Sequence, residues 1–158
     1  MIVKQIWTNN DFRNFNYIIA CPSTGEALAI DPLDYNKCLS VSKNNGFEIT
    51  QVLNTHHHHD HIGGNPDIIR QTGAKLLAHA EAKDDIPDID IGLSAGDTVS
   101  VGKLVELEVL EHLEEERDDA ERVGGGGVGK AIAQACPVLG FDVGDAVAGP
   151  AYLCIIGR

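Results

Sequence analysis

The sequence predicts an α/β domain, on three observations. Short apolar runs of strand length alternate with segments of helical pattern: Phe15 to Ala20, Glu26 to Ile30, Ile49 to Leu53 and Lys75 to Ala78 are strand candidates, with helix candidates Tyr35 to Asn45 and Asn65 to Thr72 between them. Glycines stand directly after both helical segments, Gly46 and Gly73, where a helix stop is expected. At 158 residues the chain is one domain's worth, long enough for a proper core.

In order, Met1 to Trp7 alternates loosely as a first strand, and Asn9 to Asn14 is a polar turn leading into Phe15 to Ala20. The third strand, Glu26 to Ile30, ends on Asp31-Pro32. Cys38, Leu39 and Val41 mark the apolar side of the first helix. After the strand Ile49 to Leu53 comes a loop, then a short helix in which Asn65 is the expected N-cap and Pro66 lies in the first turn. Lys75 to Ala78 runs to His79, a lone histidine read as structural, and Ala80 to Pro87 is a polar connector. Gly96-Asp97 introduces the strand Thr98 to Val101, and Gly102 turns the chain into Lys103 to Leu110.

The loop after Leu53 reads Thr55-His56-His57-His58-His59-Asp60-His61-Ile62-Gly63-Gly64-Asn65. Five imidazoles and a carboxylate in six positions point to chemistry rather than packing. In a chain that stays extended after a strand, side chains two apart point the same way, so His56 and His58 present their rings to one point while His57 and His59 face elsewhere. Asp60 and His61 follow where Gly63-Gly64 lets the backbone turn, which brings two further ligand types beside the first pair. A purification tag also gives a histidine run, but at a terminus and without an interleaved aspartate.

T-H-x-H-x-D-H resembles the signature of the metallo-β-lactamase superfamily, and THHHHDHIGGN is similar to its glyoxalase II (hydroxyacylglutathione hydrolase) branch. The resemblance runs from about residue 2 to Leu110. It implies an αββα sandwich, with residues 1–110 as its N-terminal half and residues 111–158 as a divergent continuation: an acidic helix, a glycine-rich linker and short strand segments. It further implies that His56 and His58 bind a first metal and Asp60 and His61 a second. Asp31 stands where the family places a carboxylate beneath the metal loop, and the alternative for it is an ordinary strand-end turn residue.

Past Leu110 the pattern changes. The family continues with a T-P-G-H-T segment, whereas this chain reads Glu111-His112-Leu113-Glu114-Glu115-Glu116. His112 lies amid acidic residues that suggest a solvated helix, with a ligand as the alternative. Gly124 to Lys130 fits the G-x-x-x-x-G-K part of a phosphate loop, but position 131 is Ala, not the hydroxyl that holds magnesium, and the stretch reads better as a linker. Asp142-Val143-Gly144-Asp145 resembles the family's Gly-Asp segment, which makes Asp145 a candidate bridge between two metals and, alternatively, a turn aspartate. In the family a further metal histidine and a glutathione-gripping helical region follow the segment that Ile155 to Arg158 resembles. The shift to an acidic block and then a glycine-alanine-rich tail is what a truncated, frame-disturbed or foreign segment would produce.

Composition narrows the partners. A net charge of -12 with only 12 Lys and Arg excludes a phosphate-binding surface for nucleic acid or an anionic membrane. No run has the length of a transmembrane helix, and the first residues lack a signal peptide's pattern, so the expected location is cytoplasmic. Cys21, Cys38, Cys136 and Cys154 make no C-x-x-C pair and read as reduced, mostly buried thiols. The letters fix no oligomeric state.

Bulk water ionises near pKa 15.7 and zinc-held water near about 7. The resemblance therefore implies a metal-dependent hydrolase in which metal-held hydroxide attacks a small-molecule thioester, such as an acylglutathione, or a related acyl substrate. Asp60 doubles as a group that orients the nucleophile. Zinc, as one or two ions, is the expected cofactor, and the same donors suit iron or manganese. Two alternatives stand beside this reading: a mononuclear iron persulfide dioxygenase on the same fold, and a non-catalytic domain that keeps half of a metal site.

Overall fold

The computed structural model describes residues 1–11, 13–111 and 153–157. Six strands form one sheet in chain order: β1 (Ile2–Trp7), β2 (Phe15–Ala20), β3 (Glu26–Ile30), β4 (Glu48–Leu53), β5 (Lys75–His79) and β6 (Ile91–Leu93). The first three pair antiparallel through tight connections, and β3 to β6 pair parallel. Parallel neighbours require crossovers, and these are α1 (Tyr35–Asn45), then α2 (His59–Ile62) with α3 (Asn65–Thr72), then a 3₁₀ turn over Ala80–Asp84. A second sheet holds β7 (Thr98–Val101), β8 (Val105–Glu111) and β9 (Leu153–Gly157), with β8 antiparallel to both neighbours.

The central strands are buried on both faces, as expected where parallel strands are covered on each side. On one face Ile19, Leu28, Ile30, Leu53 and Leu77 pack against Val99, Val101, Leu107 and Val109 of the second sheet. On the other, Ala20, Ala27, Ala29, Val52, Leu76 and Ala78 meet the helical layer through Cys38 and Ile68. Helices, sheet and sheet are thus stacked in the order expected for three of the four sandwich layers. The acidic stretch from His112 and the glycine-rich run lie outside the described residues.

Local signals explain most boundaries. Asp34 caps α1 by accepting a hydrogen bond from Lys37 N at 3.1 Å, and Gly46 ends it at φ 71°, a conformation that suits glycine. Three details depart from the sequence reading. Gly64, not Asn65, is the N-cap of α3, because the Asn65 amide is turned inward to donate to Asn54 Oδ1 at 2.6 Å. Ala80 to Pro87 is not simply a polar connector, since Ala82 and Ile86 are buried under the helical face. The short strand β6 follows it, too brief to show an alternating pattern.

Candidate metal centre

The metal loop leaves the carboxyl end of β4, the side of a parallel sheet where the strand ends open into a crevice. Asn54 fixes the exit: its N–H donates to Leu77 O on β5, and its side chain pairs with Asn65. Asp31, one residue past β3, sits beside it in a left-handed conformation at φ 45°. That backbone is unusual for a non-glycine residue, though aspartate tolerates it better than most. It is held by Asp31 N donating to Leu53 O and by Asn16 Nδ2 donating to Asp31 O.

The buried Asp31 carboxylate organises three groups. Oδ1 accepts from Thr55 N at 2.8 Å, and Oδ2 accepts from Thr55 Oγ1 at 2.5 Å and from His61 Nδ1 at 3.0 Å. The Thr55 hydroxyl has one proton and gives it to Asp31, so its 3.0 Å contact with His56 Nδ1 requires the histidine to donate. Both rings are therefore protonated on Nδ1 in their neutral forms, which makes Nε2 the lone-pair nitrogen of His56 and of His61. Asp31 acts on ring orientation and tautomer, as the resemblance implied.

The ring centroids of His56 and His61 lie 3.9 Å apart, and those of His56 and His58 lie 4.7 Å apart. Asp60 Oδ2 stands 3.6 Å from His61 Nε2. His56 and His61 are buried, His57, His58 and Asp60 half-buried, and His59 exposed. The chain does not stay extended as expected: it bends at Thr55 and His56, is extended at His58, and then enters α2, a single helical turn that brings the His61 ring against that of His56. The expectation that His57 faces wholly elsewhere is only partly met, since its ring centroid is 5.1 Å from that of His58.

Gly63 and Gly64 serve a different purpose from the one expected. Both have ordinary helical dihedrals, with φ -58° and -89°. What they provide is room: a Cβ on Gly64 would stand 2.0 Å from Pro32 O, and one on Gly63 would stand 2.8 Å from His59 O. The loop thereby packs directly on the chain that leaves Asp31.

Electrostatics separate the two buried histidines. Burial, with His61 and His58 nearby, pushes His56 down to about 4 despite Asp31 and Asp60. Burial also works against a charge on His61, but the carboxylates of Asp31 and Asp60 outweigh it and raise its pKa. Burial opposes ionisation of Asp31, yet His61, His56 and the Thr55 hydrogen bond hold it below the usual carboxylate range. Asp60 is lowered too: burial is overcome by the Asn14 hydrogen bond and by His61.

These residues fit a cation. The buried cluster is Asp31, His56 and His61, each with a ligand-type atom within 4.8 Å of the others. The expected ligands His58 and Asp60 border it without belonging to it, and the Asp31 oxygens are engaged by Thr55 and His61. A neutral His61 sets its Nε2 lone pair against an anionic oxygen of Asp60, two acceptors facing each other, and a positive charge resolves that conflict. The donor set is imidazole and carboxylate, suited to zinc, iron or manganese. Asp145 and His112 lie outside the described residues, as do Cys136 and the glycine-rich run. Cys21 and Cys38 are buried free thiols. His79 accepts from Glu81 N and caps the 3₁₀ turn, consistent with a structural role.

Sequence reasoning missed Asn14, whose side chain donates to Asp60, and Asn16, which holds the backbone of Asp31. Asn14 ends the polar turn and Asn16 is the second residue of β2, and only their distance in sequence from their partners hid them.

Residues 21–134 match the pattern of the metallo-beta-lactamase superfamily. A curated relative named hydroxyacylglutathione hydrolase from Nitrosococcus oceani is 62% identical over 111 residues, which are 70% of this chain and 42% of that protein. A second of the same name from Polaromonas sp. is 61% identical over the same shares. The chain thus spans about two fifths of the length of these relatives. Among solved structures, ETHE1 from Myxococcus xanthus is similar at 26% identity and a TM-score of 0.61, covering 70% of this chain and 48% of that one. A metallo-beta-lactamase from Staphylococcus aureus is similar at 28% identity and a TM-score of 0.58, covering 70% and 34%.

Proposed function

Because the chain belongs to the metallo-beta-lactamase superfamily, we propose that it is a metal-dependent hydrolase of the glyoxalase II type, acting on a small-molecule thioester such as an acylglutathione. The observation that supports this reading is the buried cluster of Asp31, His56 and His61, with the His58 ring 4.7 Å from that of His56 and Asp60 Oδ2 3.6 Å from His61 Nε2. The names of the two curated relatives supply the substrate class.

In this reading His56 and His58 hold one cation and Asp60 and His61 a second, with Asp145 as the candidate bridge. Zinc is the cation proposed, with iron or manganese as alternatives, and it supplies Lewis acidity and a source of hydroxide near neutral pH. Thr55 and Asp31 keep both buried imidazoles in the tautomer whose Nε2 is a donor of electrons. Asp60, braced by Asn14, directs a proton of the nucleophile away from the acyl carbon. The leaving thiolate is weakly basic, so none of the loop histidines has to act as a strong acid. We place the reaction in the cytoplasm, where the thiols of Cys21 and Cys38 stay reduced. No helix among the described residues is long and apolar enough to cross a membrane.

The test is metal analysis of protein purified without an affinity tag, with thioester hydrolysis measured for wild type and His58→Ala. Bound metal and a loss of at least about a hundredfold in hydrolysis on substitution are expected, since direct ligands matter at least as much as their supporting groups. Protein that retains no metal sinks the reading in favour of a non-catalytic domain. Bound iron with oxygen uptake on a glutathione persulfide moves the assignment to the dioxygenase.

A further inference from the structure

The turn between β1 and β2 touches the metal loop through one side chain. Asn14 Nδ2 donates to the main-chain oxygen of Asp60 at 2.8 Å and to its Oδ2 at 2.9 Å, so both amide protons go to one residue 46 positions later. Asp60 sits on a single helical turn and is only half-buried, so little else in α2 restrains its carboxylate.

The turn that carries Asn14 is itself braced. Asn14 O accepts from Thr8 N at 3.2 Å and from Thr8 Oγ1 at 2.7 Å, and Asn14 N donates to Asn10 Oδ1 at 3.3 Å. Lys37 on α1 donates to the main-chain oxygens of Trp7 at 3.2 Å and Thr8 at 2.7 Å. A hydrogen-bonded arm from the start of the sheet thus ends on the one carboxylate of the 56–61 loop.

We propose that Asn14 is a positioning residue for the half of the metal centre formed by Asp60 and His61, holding the Asp60 carboxylate in one rotamer before a cation arrives. The inference rests on the metal reading given above. A neutral amide is well matched to that role because it donates two hydrogen bonds and leaves the carboxylate's full charge for the cation, whereas lysine or arginine there would compete with it. Preorganised ligands are what raise affinity at such sites.

The experiment is titration of metal-free full-length protein with Co(II), followed by visible absorption, and with Zn(II) against a competing chelator. It compares wild type, Asn14→Ala, Asn14→Lys and Asn10→Ala. Asn14→Ala should lose about 10- to 100-fold in affinity with an altered cobalt spectrum. Asn14→Lys, which keeps a donor but adds a charge, should lose at least as much while its thermal midpoint stays near wild type. Asn10→Ala cuts one bond that braces the turn but leaves both Asn14–Asp60 bonds in place, so it should lose far less affinity than Asn14→Ala. Unchanged affinity in either Asn14 variant, or an equal loss in Asn10→Ala, overturns the proposal and leaves the functional reading standing. Wild type that takes up neither ion overturns both.

Discussion

Oδ2 of Asp31 lies 3.0 Å from Nδ1 of His61, a contact that ties the end of β3 to a residue 30 positions later. The same oxygen takes the Thr55 hydroxyl proton, so one carboxylate sets two imidazoles at once. Asp31→Asn keeps the shape but puts an amide in place of an acceptor that serves three donors. Breaking a buried pair by removing one charge costs about 3–5 kcal/mol, and loss of a group that orients metal ligands costs about 10- to 100-fold in metal affinity. Thermal melting and chelator competition should show both losses; a variant that binds zinc as tightly as wild type would contradict the role given to Asp31.

The opposite shifts of His56 and His61 predict how protons leave when metal binds. In the metal-free protein the stability due to His61 is complete below its unfolded pKa of about 6.5 and is lost as pH rises through its raised folded value. The Asp31 contribution is present above an unfolded pKa of about 3.9 and is lost as pH falls through its lowered folded value. His56, held near about 4, favours the unfolded chain as pH drops from about 6.5. Near pH 6.5, zinc should therefore displace a proton from His61 and essentially none from His56. Calorimetry in buffers of different ionisation heat should register that release in wild type, with less in Asp31→Asn; equal release in the two proteins would count against this account.

Asn16 is buried and serves three partners: Asp31 O, Asp34 N and the Cys38 thiol. Asn16→Ala leaves Asp31 O and Asp34 N without this partner inside the protein, at about 1–3 kcal/mol for each unsatisfied group. It also removes a clamp on the left-handed backbone of Asp31. Chemical denaturation should give a loss of at least about 2 kcal/mol, and a loss below half a kilocalorie would show that water or a neighbour replaces the amide.

Gly64 and Gly46 separate crowding from backbone strain. Gly46→Ala puts a side chain at φ 71° with nothing within 4 Å, so it should lower stability by about 1–2 kcal/mol and leave metal uptake alone. Gly64→Ala has an allowed φ but would drive its Cβ onto Pro32 O, so the loop must lift. Metal affinity should fall along with stability in this variant only, read by zinc titration beside thermal melting.

The histidine loop was legible because its imidazoles and carboxylate are contiguous and follow an apolar strand, so placing His56, His58, Asp60 and His61 near one another needed no long-range information. The helix ends at Gly46 and Gly73 were legible because a left-handed stop has a strong local signal. Asn14 and Asn16 were not, because an asparagine at a turn or a strand start reads the same whether or not it reaches a distant carboxylate or carbonyl. Asn65-Pro66 misled for a related reason: the pair looks like a cap and first turn, yet burial against Asn54 took the side chain away. The pairing irregularity opposite Ala27 and Leu28, where β4 skips Thr50, also left no mark in the letters, although it puts Ile49 and Val52 on the same face.

In β3 the two faces differ in side-chain size: Ala27 and Ala29 line the helical side, and Leu28 and Ile30 the other. In a strand with one wet face, a one-residue slip is punished by polarity; in β3 both faces are dry, so the penalty comes from bulk. Leucines would be thrust into gaps shaped for methyl groups while voids opened opposite them. Volume matching in β3 therefore joins the hydrogen bonds from Asn16 and to Leu53 in keeping Asp31 beside the imidazoles, and a mutation that evened out the two faces would disturb the histidine loop without touching it.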